Sequence, residues 1–216
     1  MSIGTAFGPT ESMLNMTGRV QQKGLRFGSP MIFTHTFVNA PAALVSIEYG
    51  LQGPCMTQLL GDQSAAAALA YALTTMRLGR ADLILAAGVD AASRPLLAAL
   101  DAADATDPIG EAAAVLVLET ETSALARGAV PLAELAGACC LMPGSSGATQ
   151  AALADAGEAG EWSSVRAPAA CGHTFGASLA LSGACCVGLL ARGQAGPLVA
   201  AAPDGSAALV FRRWEG

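Results

Sequence analysis

The chain has 216 residues, enough for one large domain or two small ones, of which 53% are hydrophobic and only 13% are charged. Its net charge is −6 and it contains no basic run, which disfavours nucleic-acid and anionic-membrane surfaces, since both need clustered Lys and Arg. Because so few charges are available to cover the surface, we expect part of the apolar surface to contact another protein.

The first half of the chain is predicted to alternate between helices and strands after an irregular start of about thirty glycine-punctuated residues. Pro41 suits the first turn of a helix over 42–49, which Gly50 ends. In chain order we then predict a strand at 55–60, a helix at 63–78, a strand at 82–87, a loop containing Asp101, Asp104 and Asp107, and a strand at 112–119.

The second half continues this alternation. In chain order it predicts a short helix at 120–127, a strand at 129–135, a helix at 146–156, a polar loop at 157–164, a helix at 175–191, and strands at 198–202 and 207–212. Apolar strands that alternate with helices predict an α/β fold whose sheets are covered on both faces.

The apolar stretch 171–190 is long enough to suggest a membrane span, but it contains His173, Thr174, Ser178 and Ser182. Its many Gly, Ala and Ser residues suit close packing between sheets, so we expect no membrane span. The start of the chain lacks the basic and apolar regions of a signal peptide, and we expect a cytoplasmic protein.

The six cysteines include two adjacent pairs and no C-x-x-C spacing, which argues against a zinc site. We expect these thiols to be reduced, buried and inert, and we expect no metal and no cofactor.

Several blocks along the chain resemble the β-ketoacyl synthase family in order and spacing. They are Ser29-Pro30, Val38-Asn39-Ala40, YGLQGP from Tyr49 to Pro54, LGRADLILAAGVD from Leu78 to Asp90, GEAAAVLVLE from Gly110 to Glu119, ARGA from Ala126 to Ala129, and CGHTFGA from Cys171 to Ala177. Single blocks are weak evidence, but the ordered set is a strong signal. The resemblance implies a thiolase-like layered α-β-α-β-α fold.

This resemblance also implies a truncated fold. The region before Ile3 and the H-G-T-G-T block that holds the first catalytic histidine of the family have no counterpart here, and Pro203-Asp204-Gly205 stands where the family has a glycine-rich loop. We therefore expect one truncated domain over 1–216, with 1–142 as its N-terminal half and 143–216 as a reduced C-terminal half.

The family's nucleophilic cysteine lies eight residues after the proline of the G-P block, and here that position is Asp62. A carboxylate is a poor nucleophile toward a thioester, whereas Asp is among the best helix N-cap residues, so we interpret Asp62 as a cap. His173 matches the second histidine of the family, and its lysine position is Pro168. We interpret His173 as a core residue, and we therefore assign no catalytic residue.

The resemblance implies a non-catalytic subunit like a chain length factor, which pairs with an intact ketosynthase as a heterodimer or a dimer of heterodimers. An acyl carrier protein would be an indirect partner. In relatives, the strand here at 55–60 and the helix at 41–49 lie at the dimer interface. The candidates for the interface or acyl tunnel are Met31, Phe33, His35, Phe37, Cys55, Met56 and Thr57, and the alternative is that the aromatic ones are core residues.

This chain also resembles the small ketosynthase-like subunits of aryl-polyene-type pathways. Two other functions stay open. One is a structural scaffold subunit without substrate contact, and the other is an acyl-thioester hydrolase or decarboxylase that uses Asp62 and His173.

Overall fold

A computed structural model describes residues 1–105 and 107–215, which form eight strands and eight α-helices. The strands are β1 (Ser2–Gly4), β2 (Met56–Gln58), β3 (Leu83–Asp90), β4 (Ala112–Glu119), β5 (Glu134–Cys140), β6 (Ser163–Ser164), β7 (Leu198–Ala201) and β8 (Ala207–Arg212). The helices are α1 (Thr10–Lys23), α2 (Pro30–Phe33), α3 (Ala40–Glu48), α4 (Ser64–Arg77), α5 (Arg94–Ala102), α6 (Glu121–Ala126), α7 (Ala148–Asp155) and α8 (Ser178–Ala191).

The strands form two four-stranded sheets, one mostly from the first half of the chain and one from the second. The first sheet has the order β2-β1-β3-β4, in which β1 is parallel to β2 and β3, and β4 is antiparallel to β3. The second has the order β5-β8-β7-β6, in which only the β6–β7 pair is parallel. Because β5 begins at Glu134, the second sheet starts before residue 142; the division into halves at that residue remains a prediction.

Two helices form a central layer between the sheets. Helix α4 packs against β1 and β3 on one side and β5 and β8 on the other, and α8 packs against β3 and β4 and against β7 and β8. Helix α3 packs against β1, and α7 packs against β5, β7 and β8, so each sheet also has an outer helix. This is the layered α-β-α-β-α arrangement that the sequence predicted.

Small residues make this close packing possible. A Cβ atom on Gly88 of β3 would collide with the methyl groups of Ala65 and Ala180, and one on Gly183 of α8 would press on the ring of Phe211. Phe211 is 1% exposed, and burying a side chain of this size contributes roughly 1.5–3 kcal/mol. The Gly/Ala/Ser-rich helix therefore packs between the sheets, as its composition indicated, and no helix in the described ranges is long and apolar enough to cross a membrane.

The structure differs from the sequence prediction at four places. One is the predicted polar loop 157–164, whose last two residues form β6 beside β7, a strand too short to show a period. The first thirty residues, predicted to be irregular, contain β1 and α1. Strand β1 is only three residues long, too short to show a period, whereas α1 has Met13, Met16 and Val20 at helical spacing but buries none of them. The predicted loop with the aspartates contains α5, which begins after Ser93 with Pro95 in its first turn. The strand predicted at 129–135 lies at Glu134–Cys140, where β5 pairs with β8.

Candidate functional site

The residue at the family's nucleophile position lies at the head of the central helix α4. A single 3-10 turn, Gly61–Gln63, precedes the helix, and Gly61 has a left-handed φ of +57° that turns the chain into it. The side chain of Asp62 is 53% exposed, so its carboxylate is open to water. Asp62 is therefore an accessible acid at the start of the buried helix.

His173 lies beside Asp62, although 111 residues separate them in the chain. The Nε2–H group of His173 donates a hydrogen bond of 3.2 Å to Oδ1 of Asp62. The backbone of His173 is held at both its polar groups, since its N–H donates to Pro108 O at 2.7 Å and its carbonyl accepts from Gly110 N–H at 3.1 Å. The sequence named Asp62 and His173 together as candidates but could not show that they touch, and the tertiary structure places them in contact.

The expectation that Asp62 caps the helix is wrong. Asp62 makes no cap hydrogen bond, and its carboxylate contacts His173 instead. Ser64, the first residue of α4, makes the local hydrogen bonds instead: its buried Oγ accepts from Leu60 N–H at 2.9 Å and lies 2.6 Å from the carbonyl oxygen of Gly61, whereas no side chain of the described residues caps the first N–H groups of the helix. The sequence could not distinguish the two because Asp and Ser both readily hydrogen-bond to the backbone at a helix start.

The interpretation of His173 as a core residue is also wrong. Its side chain is 38% exposed, and its ring packs edge-on against Phe175 with the centroids 4.6 Å apart. Phe175 in turn packs edge-on against Phe7 at 4.9 Å. The carboxylate of Asp90 accepts hydrogen bonds from the Thr5 hydroxyl and the N–H groups of Ala6 and Phe7, and so fixes the loop that carries Phe7.

A partly buried polar network lies next to Asp62, and sequence reasoning missed it. The amide of Gln63 donates to the hydroxyl of Ser206, which donates to the carboxylate of Asp204, and the thiol of Cys140 donates to Gln63 Oε1 at 3.6 Å. Burial raises the pKa of the Cys140 thiol, whereas the Ser206 hydroxyl lowers the pKa of Asp204. The network ties the head of α4 to the β7–β8 turn.

All the tunnel and interface candidates except Thr57 are exposed, so the core alternative for the aromatic ones is wrong. Met31 is 80% exposed, and the rings of Phe33 and Phe37, each half exposed, pack edge-on 5.0 Å apart. His35 is exposed, and its Nδ1 lies 2.7 Å from Met31 O. Cys55 is likewise exposed.

The remaining candidates lie in two separate places. Met56 is 41% exposed on β2, the edge strand of the first sheet. The neighbouring Thr57 differs, because its Oγ1 is buried and has no hydrogen-bond partner in the described part of the chain. Pro168 precedes the 3-10 turn Ala169–Cys171, and it offers no ionisable group at the family's lysine position.

Taken together, the site offers a carboxylate and an imidazole, which can transfer protons. Across residues 1–105 and 107–215, no thiol is hydrogen-bonded to either side chain of this pair. The arrangement is therefore suited to acid–base chemistry.

Comparisons with known proteins identify relatives of the chain. Residues 1–124 match the family model of the β-ketoacyl synthase N-terminal domain. The chain is 31% identical over 160 residues to 3-oxoacyl-[acyl-carrier-protein] synthase 2 of Mycobacterium bovis, a match that covers 64% of this chain and 38% of the relative. The chain thus spans about two fifths of the length of the curated relatives it matches.

Solved structures share the fold over nearly the whole chain. The ishigamide ketosynthase/chain length factor superposes with a TM-score of 0.78 at 21% identity, covering 99% of this chain and 72% of that one. A type II PKS acyl-carrier protein complex with its ketosynthase gives a TM-score of 0.83 at 17% identity, covering 99% and 78%. The fold is therefore that of the thiolase-like ketosynthases, and with the family match over residues 1–124, the chain belongs to the β-ketoacyl synthase family.

Proposed function

We propose that the chain is a subunit like a chain length factor, inactive in condensation, that pairs with an intact ketosynthase in type II polyketide biosynthesis. The observation that carries this proposal is the carboxylate of Asp62 at the head of α4, where the family has its nucleophilic thiol. Asp62 is engaged by His173 at 3.2 Å. Attack by a carboxylate on a thioester would give a mixed anhydride in place of the stable thioester that condensation needs.

The surface of the first half of the chain supports a partner. Its large exposed apolar side chains are concentrated between residues 13 and 60 and include Leu25, Met31, Leu44, Ile47, Tyr49, Met56 and Leu59. Strand β2 has β1 on one side only, so its other edge offers unpaired backbone groups. A permanent partner on this face would bury well above about 2,000 Å².

Co-expression with an intact ketosynthase, followed by size-exclusion chromatography, tests the pairing. We expect one stable complex that contains both chains. Met56→Lys should break this complex, because it places a charge beside the pairing edge of β2. Val117→Lys is the matched control, since Val117 is 60% exposed on β4, the opposite edge strand of the same sheet, and should leave the complex intact. A monomer of this chain that elutes apart from an active synthase homodimer would contradict the proposal.

We further propose that an acyl carrier protein, expected from the sequence only as an indirect partner, contacts this chain directly, and a local positive charge supports this contact. Residues 12–47 contain Arg19, Lys23 and Arg26 but no Asp or Glu, in a chain whose net charge is −6. These three side chains are exposed and lie near the exposed Leu25 and Phe27. If a carrier binds here, Lys23→Glu with Arg26→Glu should lower the rate of product formation by the complex and weaken its dependence on salt.

The scaffold alternative predicts a different result from the same complex. A chain length factor contributes side chains to the acyl tunnel, so changes to those side chains should alter the product. A scaffold without substrate contact should leave the product unchanged.

An aryl-polyene-type pathway and a cytoplasmic location complete the proposal. Both rest on the sequence alone. Deletion of the gene in its native host, with analysis of the polyene pigment, tests the pathway, and cell fractionation tests the location.

A further inference from the structure

We propose that Asp62 and His173 form a hydrolytic dyad that cleaves acyl thioesters. The two side chains are hydrogen-bonded at 3.2 Å and reachable by water, since they are 53% and 38% exposed. This activity goes beyond the proposed subunit role, and only the substrate class rests on that role, because the complex would handle acyl groups as thioesters.

The geometry assigns the base. Because an ionised carboxylate only accepts hydrogen bonds, Nε2 of His173 carries the proton that faces Asp62, and Nδ1 keeps a free lone pair. Within the described ranges, Nδ1 has no hydrogen-bond partner. The imidazole is held by Asp62, by the edge of Phe175, and by the two backbone hydrogen bonds of His173 to the 108–110 segment. A fixed imidazole with one free nitrogen is the arrangement that general-base catalysis needs.

The reaction balances with water as the only co-reactant. Nδ1 removes a proton from a water molecule as the water oxygen attacks the thioester carbonyl carbon. Asp62 stabilises the imidazolium that forms. The tetrahedral intermediate then expels the thiolate, which takes the proton from Nδ1, and the products are a carboxylic acid and a free thiol.

One backbone N–H group of the dyad is free to bind the negative oxygen of the intermediate. The N–H of Asp62 donates no hydrogen bond to any described residue, and it lies in the continuous helical segment from Gly61 to Arg77. Leu60, 39% exposed and two residues before Asp62, offers an apolar contact for an acyl chain. We therefore expect the dyad to accept substrates with an apolar acyl chain.

The test is hydrolysis of an octanoyl-N-acetylcysteamine thioester by the full chain, alone and in complex with a synthase whose nucleophilic cysteine is replaced by alanine. Released octanoic acid is measured by mass spectrometry. Relative to wild type, we expect His173→Gln to lower kcat/KM by about 10²-fold or more and Asp62→Asn to lower it by at least about tenfold. Asp155→Asn, a matched change in an exposed ion pair with Arg77, should leave the rate unchanged.

Circular dichroism and chromatography of each variant show whether it is folded and assembled. Wild-type hydrolysis no faster than buffer, or a folded His173→Gln variant within about threefold of wild type, would overturn the dyad. If either result is obtained while the complex still assembles, the subunit role is unaffected. If the complex does not form but His173-dependent hydrolysis is still measured, only the subunit role is contradicted.

Discussion

The hydroxyl of Ser64 lies 2.9 Å from the carbonyl oxygen of Thr5, 59 residues earlier in the chain, and both residues are buried. The same hydroxyl accepts from Leu60 N–H, so one side chain joins β1, the 3-10 turn and the start of α4. This contact, and not a cap by Asp62, secures the head of the central helix.

Ser64→Ala is therefore expected to be more destabilising than Asp62→Ala. Loss of the buried hydroxyl leaves Leu60 N–H without its partner and should lower the free energy of unfolding by about 1–3 kcal/mol. Asp62→Ala removes only an exposed pair and should cost roughly 0–1 kcal/mol. Urea unfolding of the two variants measures the difference, and a larger loss for Asp62→Ala would contradict this account of how the helix head is held.

Asp62→Cys is expected not to create a condensing enzyme. The introduced thiol would stand at the helix head beside His173, but the family's first histidine block has no counterpart in this sequence and Pro168 stands at its lysine position. Release of carbon dioxide from a malonyl carrier protein, assayed with the variant alone, checks this. Measurable condensation would show that His173 suffices for the chemistry.

Gln63→Leu is expected to loosen the link between α4 and the β7–β8 turn. It removes the amide that bonds Ser206 and the thiol of Cys140 in a buried setting, so the free energy of unfolding should fall by about 1–3 kcal/mol. Gln150→Leu on the exposed face of α7 is the control and should change it by less than about 0.5 kcal/mol. Equal effects would mean that the network adds no stability.

Stability is expected to fall at alkaline pH through Cys186. Burial, with a smaller effect of Cys185, raises the pKa of the Cys186 thiol to about 12. An unfolded thiol ionises near pH 8.5, so between these values the unfolded chain loses a proton that the folded chain keeps, and unfolding becomes more favourable as pH rises. Wild type should lose more stability between pH 7.5 and 10 than Cys186→Ala, whereas the exposed-site variant Cys55→Ala should behave like wild type.

Changes at Phe33, Phe37 and Met56 are expected to shift the chain length of the product made by the complex. Each is at least 40% exposed in this chain and free to line a tunnel with a partner. Smaller residues should lengthen the product, which mass spectrometry of the released chains measures, with Val117→Ala as the control. If all three variants make products of unchanged chain length, the result favours the scaffold function without substrate contact.

The sequence by itself determined the family, the layered α/β fold and the long elements. Apolar strands such as 112–119 and 207–212 and the alanine-rich helix were predicted correctly because each carries a complete hydrophobic pattern. The sequence also predicts Asp62 at the position of the family's thiol, because that prediction needs only a fixed distance from the G-P motif.

Only the tertiary structure decided what Asp62 and its neighbours do. Asp62 and Ser64 have similar local capping propensity, and the choice between them depended on contacts with Thr5 and His173, far away in the sequence. Strand β1 was missed for the same reason, because three residues hold no period and become a strand only between β2 and β3. Contacts between distant segments depend on how the layers pack, and local sequence pattern does not contain that information.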